Sequence, residues 1–208
     1  MDKIDLKKLN INPRAVNNAF YKVMLDLSTD LDDPTMLGWR DLESQTSRYD
    51  VFLEYCIKNN QSVLDFGCGL GDFYQYAKDK GFKLKYKGIE IVDEFIKKGK
   101  EKYGDKINIS SGNILFDMTK YDWVFANGTF SVGFTEETMY EHIDHLLNIS
   151  NIGLCFNLLD ANVFTNDVQM SFLPDEMFKI IREKYPEKDV TLITDYTDDD
   201  FTIIIRHK

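Results

Sequence analysis

The period of the apolar positions changes near Ser62. Upstream they recur at helical spacing. PRAVNNAFYKVML predicts one helix, and DLESQTSRYDVFLEYCIKNN a second with Tyr49, Phe52, Leu53 and Cys56 along one side. The connector STDLDDPTMLGWR is polar and holds Pro34 and Gly38. Downstream, short apolar runs alternate with amphipathic stretches. SVLDF, YKGIEI, INIS, DWVFAN and GLCFNLL read as strands. GDFYQYAKDKG and VDEFIKKGKEKYG read as helices closed by Gly81 and Gly104. TEETMYEHIDHLLNIS reads as a helix capped by Thr135, with Met139, Ile143, Leu146 and Leu147 as its buried stripe. DEMFKIIREKY forms a helix beginning just after Pro174. Two last strands, DVTLIT and FTIIIR, flank the acidic turn DYTDDD and should pair as an antiparallel hairpin.

Strand-helix alternation predicts an α/β fold, a doubly wound and mostly parallel seven-stranded sheet with helices on both faces. The terminal hairpin departs from an ordinary dinucleotide-binding fold, which ends on a parallel strand. Residues 1–61 read as a helical lead-in belonging to the same domain as residues 62–208.

Composition supports one globular domain. The chain has 208 residues, of which 43% are hydrophobic and 13% aromatic. Its formal net charge of -10 repels a phosphate backbone, so nucleic-acid binding is disfavoured. Cys56, Cys68 and Cys155 match no metal pattern and read as free thiols in a reducing compartment; no metal is expected. The stretch MDKIDLKKLNIN has no apolar core of a signal peptide, and no apolar run approaches a membrane span. A cytoplasmic protein without membrane contact is the expectation.

The chemistry concentrates at LDFGCGLGD, Leu64–Asp72. In an open parallel sheet, ligands bind beyond the carboxyl ends of the strands. Gly67, Gly69 and Gly71 let the backbone turn sharply there and come close to a ligand. The spacing G-x-G-x-G is shorter than the dinucleotide fingerprint. Asp65 and Asp72 flank the glycines and would repel a pyrophosphate, so an ammonium or sulfonium is the better partner. Glu90 ends the second strand, where nucleoside-binding folds place a carboxylate on ribose hydroxyls. Asn113 and Ile114 follow the third strand; the Asn side chain can accept from an adenine amino group, and the Ile114 N–H can donate to the ring.

Together these residues resemble a class I S-adenosylmethionine-dependent methyltransferase, from Ser62 onward. VLDFGCGLGD is similar to the family's first motif, Glu90 to its ribose-binding acid, and GNI to its GDI, with Asn113 for the usual Asp. The family's fold has seven strands, the last antiparallel, in a Rossmann-like sheet. The resemblance implies S-adenosylmethionine as cofactor, with Ile91 beside Glu90 in its pocket and Asn127 to Thr129 contributing pocket backbone. GWRDLESQTSRYDVFLEY resembles the lead-in helix of small bacterial and phage members. That likeness implies Arg48 on the methionine carboxylate, with Gln45 beside it; a surface Arg is the alternative.

In-line attack on a sulfonium methyl mainly needs alignment, so no catalytic residue is singled out. Asn127 and Phe130 have the spacing of the Asn-Pro-Pro-Tyr/Phe box of amine methyltransferases, but Gly128 and Thr129 replace the prolines. LDANVFTNDVQMSFLP is long enough for a lid, and Trp39, Tyr49, Phe130, Phe134 and Phe164 are candidate pocket walls. His142 and His145 read as surface residues. The expected acceptor is a small molecule or a protein side chain. A module that binds the cofactor without transfer, and more weakly a nicotinamide-dependent (NAD(P)) reductase, stay open. Acceptor and oligomeric state are not encoded in these motifs.

Overall fold

The computed structural model describes residues 13–28 and 30–208; the stretch MDKIDLKKLNIN read above lies outside them. Two helices lead in, α1 (Pro13–Leu27) and α2 (Leu42–Tyr55), with a short 3-10 turn, Pro34–Leu37, between them. Asp41 caps α2: its carboxylate accepts from Ser44 N–H at 2.7 Å. The alternating region follows as β1 (Ser62–Phe66), α3 (Asp72–Asp79), β2 (Lys85–Glu90), α4 (Asp93–Tyr103), β3 (Ile109–Ser111), β4 (Tyr121–Ala126), α5 (Glu136–Asn148) and β5 (Ser150–Asp160). The chain continues through β6 (Ser171–Phe172), α6 (Pro174–Lys184), β7 (Asp189–Ile193) and β8 (Asp200–Arg206).

The sheet order is β3-β2-β1-β4-β5-β8-β7. Strands β1 to β5 pair in parallel, and β8 runs antiparallel to both β5 and β7. The hairpin forms as the missing helix between its strands requires. Its second strand inserts between β5 and β7, so β7 takes the edge. One strand was not anticipated. β5 has 11 residues where β4 has 6, and its overhang leaves backbone groups unpaired beyond β4. The two-residue β6 pairs there in parallel, Leu159 with Ser171 and Asp160 with Phe172. The long segment after β5 is thereby folded back and tied down again where Met170 N–H donates to Ser131 O at 2.7 Å.

Successive strand residues feed opposite apolar layers. Leu64, Val124, Leu154, Phe156, Ile203 and Ile205 pack with the stripe Met139, Ile143, Leu146 and Leu147 of α5 and with Met177 and Ile181 of α6. Their neighbours Val63, Trp123, Phe125, Cys155 and Ile204 pack with Phe52 of α2 and with Phe73 and Ala77 of α3. The core therefore lies in two sheets of side chains, and the strand ends at the carboxyl edge are left for a site.

Close backbone approach holds α4 against the loop after β1. A Cβ on Gly99 would lie 2.5 Å from the Leu70 carbonyl oxygen, which cannot swing aside. A Cβ on Gly112 meets nothing within 4 Å, and its φ is not left-handed. Gly99→Ala should therefore cost about 1–3 kcal/mol through overpacking. Gly112→Ala should stay within about 0.5 kcal/mol of the parent. Urea unfolding of both variants checks the contrast; equal midpoints would refute it.

Candidate functional site

A cavity of about 620 Å³ opens at the carboxyl edge of the sheet. Its floor is the loop after β1. Gly67 and Gly71 adopt φ of 75° and 86°, conformations that L side chains resist. A Cβ on Gly67 would also collide with Thr129. Thr129 Oγ1 donates to Phe66 O at 2.6 Å, so this loop and the one after β4 are locked together.

Glu90 is the fastener of the site. It is buried, and its carboxylate accepts from the backbone N–H groups of Gly69 (2.9 Å), Ile91 (2.6 Å) and Val92 (2.9 Å). One side chain thus joins the glycine loop to the start of α4. Burial raises its pKa, and the three N–H donors oppose that. A carboxylate has about four lone-pair sites, so capacity remains for a ligand hydroxyl. Asp65 is also buried on the cavity wall and accepts from Tyr86 OH at 2.8 Å. Burial pushes its carboxyl up to about 7, against the pull of that phenol.

Arg48, Asp65, Gly67, Gly69, Glu90, Ile91, Asn113, Ile114 and Asn127 all line the cavity. Asp72 is not among its lining residues. Its carboxylate takes Lys102 Nζ at 3.0 Å, Tyr103 OH at 2.5 Å and Gln45 Nε2 at 3.4 Å, so both Asp72 and Gln45 are committed to fastening α2, α3 and α4. Asn113 Oδ1 accepts from Leu115 N–H at 3.1 Å and caps the 3-10 turn Ile114–Phe116. Asn127 Oδ1 and Asn17 Oδ1 are buried acceptors with no donor among the described residues, and both residues line the cavity.

Arg48 is the residue whose setting departs furthest from expectation. It is buried rather than on the surface, and its charge is already matched. Nη2 lies 3.1 Å from Asp199 Oδ1 and Nε 3.2 Å from Asp200 Oδ2, while Nη1 donates to Ser44 O. The Nε–H does not point at its carboxylate, so that contact is Coulombic rather than a hydrogen bond. Trp39 stacks over the guanidinium with its ring centre 5.1 Å away. Both Asp200 carboxylate oxygens accept from Asn157 Nδ2 (2.9 Å each), and Oδ1 accepts from Tyr196 OH at 2.5 Å. Burial raises Asp200 to about 6, with Arg48 opposing. Asp199 and Asp200 lie too far from Arg48 in the chain, 151 positions for Asp199, for any spacing rule to flag them.

Of the proposed walls, Trp39, Tyr49, Phe134 and Phe164 line the cavity. Phe130 does not. It is fully buried, edge-on to Phe134 and Phe156, because the turn Thr129–Ser131 directs it into the core. His142, read as a surface residue, lines the cavity instead, whereas His145 reaches Asp117 O at 2.9 Å. The Cys68 thiol is buried and pushed up by burial, which makes it unreactive. No group of metal-ligating side chains occurs among the described residues.

No family model matches the chain. A Mycobacterium tuberculosis protein named as a methyltransferase is 28% identical over 155 residues, covering 70% of this chain and 92% of that one. Malonyl-[acyl-carrier protein] O-methyltransferase 1 of Ilyobacter polytropus is 26% identical over 155 residues, 71% of this chain but only 55% of that enzyme. Among solved structures, magnesium protoporphyrin IX methyltransferase from Synechocystis PCC 6803 with bound S-adenosylmethionine superposes with a TM-score of 0.69 at 12% identity, covering 95% of this chain and 98% of that one. A methyltransferase from Aquifex aeolicus gives 0.61 at 19% identity, covering 90% and 98%. The fold is the Rossmann-like fold of the S-adenosylmethionine-dependent methyltransferases.

The raised Asp65 carboxyl has a consequence for stability. An acid whose folded pKa exceeds its unfolded value near 3.9 stabilises the fold while protonated. That contribution is fully present below pH 4 and is lost as pH rises toward about 7. Asp65→Asn should remove this loss and make the protein more stable than the parent at pH 8, with little difference at pH 4. Urea midpoints at the two pH values check it; a variant less stable at pH 8 would refute the assignment.

Proposed function

We infer that this chain is a class I S-adenosylmethionine-dependent methyltransferase acting on a small molecule or an exposed protein side chain. The observation that carries the cofactor reading is the pair of buried carboxylates, Asp65 and Glu90, around a glycine loop at the carboxyl edge of this sheet. A cavity walled by Asp65, Glu90, Asp199 and Asp200 against Arg40 and Arg48 favours a cationic ligand over a pyrophosphate.

The cofactor, when bound, supplies a methyl already activated on a sulfonium. The protein's part is holding and orienting. Asp65 offers a desolvated carboxylate to an ammonium, and the remaining lone pairs of Glu90 suit ribose hydroxyls. Asn127 Oδ1 is an acceptor lacking a donor, the kind of group a polar ligand completes. With Arg48 already paired, its contribution is to fix the Asp199–Asp200 turn as a wall beside Trp39 and Phe164. The chain's net charge of -10 favours a small or protein acceptor over a nucleic acid. Among the described residues no helix is long and apolar enough to cross a membrane, in keeping with a cytoplasmic enzyme.

Incubation with methyl-labelled cofactor and separated metabolite, protein and RNA fractions tests the reading. Label should enter the metabolite or protein fraction. Label entering only RNA would overturn the acceptor class, and no S-adenosylhomocysteine binding would overturn the cofactor.

The Asp65 carboxyl near 7 also predicts the pH dependence of binding. Affinity for S-adenosylhomocysteine should weaken as pH falls from 7.5 to 5.5, by at most about tenfold per unit, because the proton must leave before an ammonium is paired. Calorimetric titration measures it. Asp65→Asn should bind weakly at both pH values with the slope gone.

A further inference from the structure

On the cofactor reading above, on which this inference rests, no buried acceptor is assigned to the purine end. Asn113, the residue suited to that role by sequence, is exposed and has its Oδ1 engaged by Leu115 N–H. An adenine edge presents an amino donor beside a ring-nitrogen acceptor, so a pocket that reads it needs an N–H and, next to it, a lone pair. Ile114 heads the 3-10 turn, where its N–H is outside the turn's own hydrogen bonds. It supplies the donor.

His142 has the complementary property. Its Nδ1 lies 2.7 Å from Thr138 O, a carbonyl that can only accept, so the proton sits on Nδ1. Nε2 then carries a lone pair. No hydrogen bond engages it among the described residues, and it is not among the buried unpartnered atoms, so it faces open space. His142 also lines the cavity, which puts this lone pair within reach of a ligand there. The ring cannot turn away. It stacks on Phe66 (5.6 Å, 22°) and meets Phe134 edge-on (5.2 Å, 88°). One helical turn further along α5, His145 Nε2 lies 2.9 Å from Asp117 O, pinning the helix to the segment that starts at Asn113 and Ile114. Ile114 and Leu115 pack in the same apolar layer as Met139 and Ile143 of α5. His142 therefore stands on the helix that is held against the Ile114 turn.

We propose that His142 is a specificity residue for the cofactor, its Nε2 accepting from the exocyclic amine of the adenine. Desolvation lowers the pKa of the imidazole, which keeps that lone pair available at neutral pH. A neutral imidazole in this tautomer cannot donate to the carbonyl of a deaminated purine, so the site discriminates against hypoxanthine.

The test compares S-adenosylhomocysteine with S-inosylhomocysteine by calorimetric titration of the full chain. The parent should prefer the adenosyl ligand by tenfold or more, about one hydrogen bond plus one mismatch. His142→Phe should lose the part of that preference read at the exocyclic group, chiefly by weaker adenosyl binding, and keep the part set by the Ile114 N–H, which opposes the N1–H of hypoxanthine. His142→Gln, whose amide can turn to accept or donate, should keep adenosyl binding and gain inosyl binding. Since each variant serves as its own reference for the two ligands, a general loss of folding does not imitate the result. An unchanged preference in both variants would overturn the assignment. Failure of the parent to bind either ligand would instead sink the cofactor reading on which it rests.

Discussion

Glu90 is the interaction on which the site depends. A buried carboxylate without partners would be costly, and here three backbone N–H groups from two segments offset the desolvation. Those N–H groups belong to the glycine loop and to the entry of α4, which Leu70 and Phe95 also join in a small apolar cluster. Glu90 therefore shapes the loop and faces the cavity. The arrangement also explains why Gly99 must lack a Cβ: α4, entered through Ile91 and Val92, has to approach the Leu70 carbonyl closely.

The two ends of the cavity are built on different physics. At the glycine-loop end, backbone groups and buried carboxylates dominate, and the carboxyls of Asp65 and Glu90 are shifted upward by burial. At the other end, charge is largely compensated within the protein. Arg48 is shared between Asp199 and Asp200, and Asn157 bridges Asp200 to the N–H of Gly128, 2.7 Å from its Oδ1. The first end is poised to take a cation. The second is rigid and already satisfied, which suits a wall more than a charge-binding site.

Much of the fold was legible in the sequence because its signals are local. Short apolar runs marked β1, β2 and β4, the Thr135 cap marked α5, and the absent helix between the last strands marked the antiparallel hairpin. β6 was not legible: two residues carry no periodicity, and the strand exists only because β5 overhangs β4. At the site, Asp65, the glycines and Glu90 were readable because strand ends and loops fix them. Asp72 was not, since its partners Lys102 and Tyr103 lie 30 and 31 positions away. His142 sat at the edge of a helical stripe, and only the rings of Phe66 and Phe134 decide that an edge position faces a cavity rather than water.

The placement of β8 bears on how the protein is made. The parts proposed to meet the cofactor, from Asp65 to Asn127, precede in the chain the turn carrying Asp199 and Asp200. Until that turn arrives, Arg48 lacks its two carboxylate counterions, and β5 lacks the antiparallel strand that pairs along it. The sheet of the nascent chain is unfinished until β8 is made. In that interval the open edge of β5 is the segment most exposed to wrong pairing, and the first that a chaperone would need to shield.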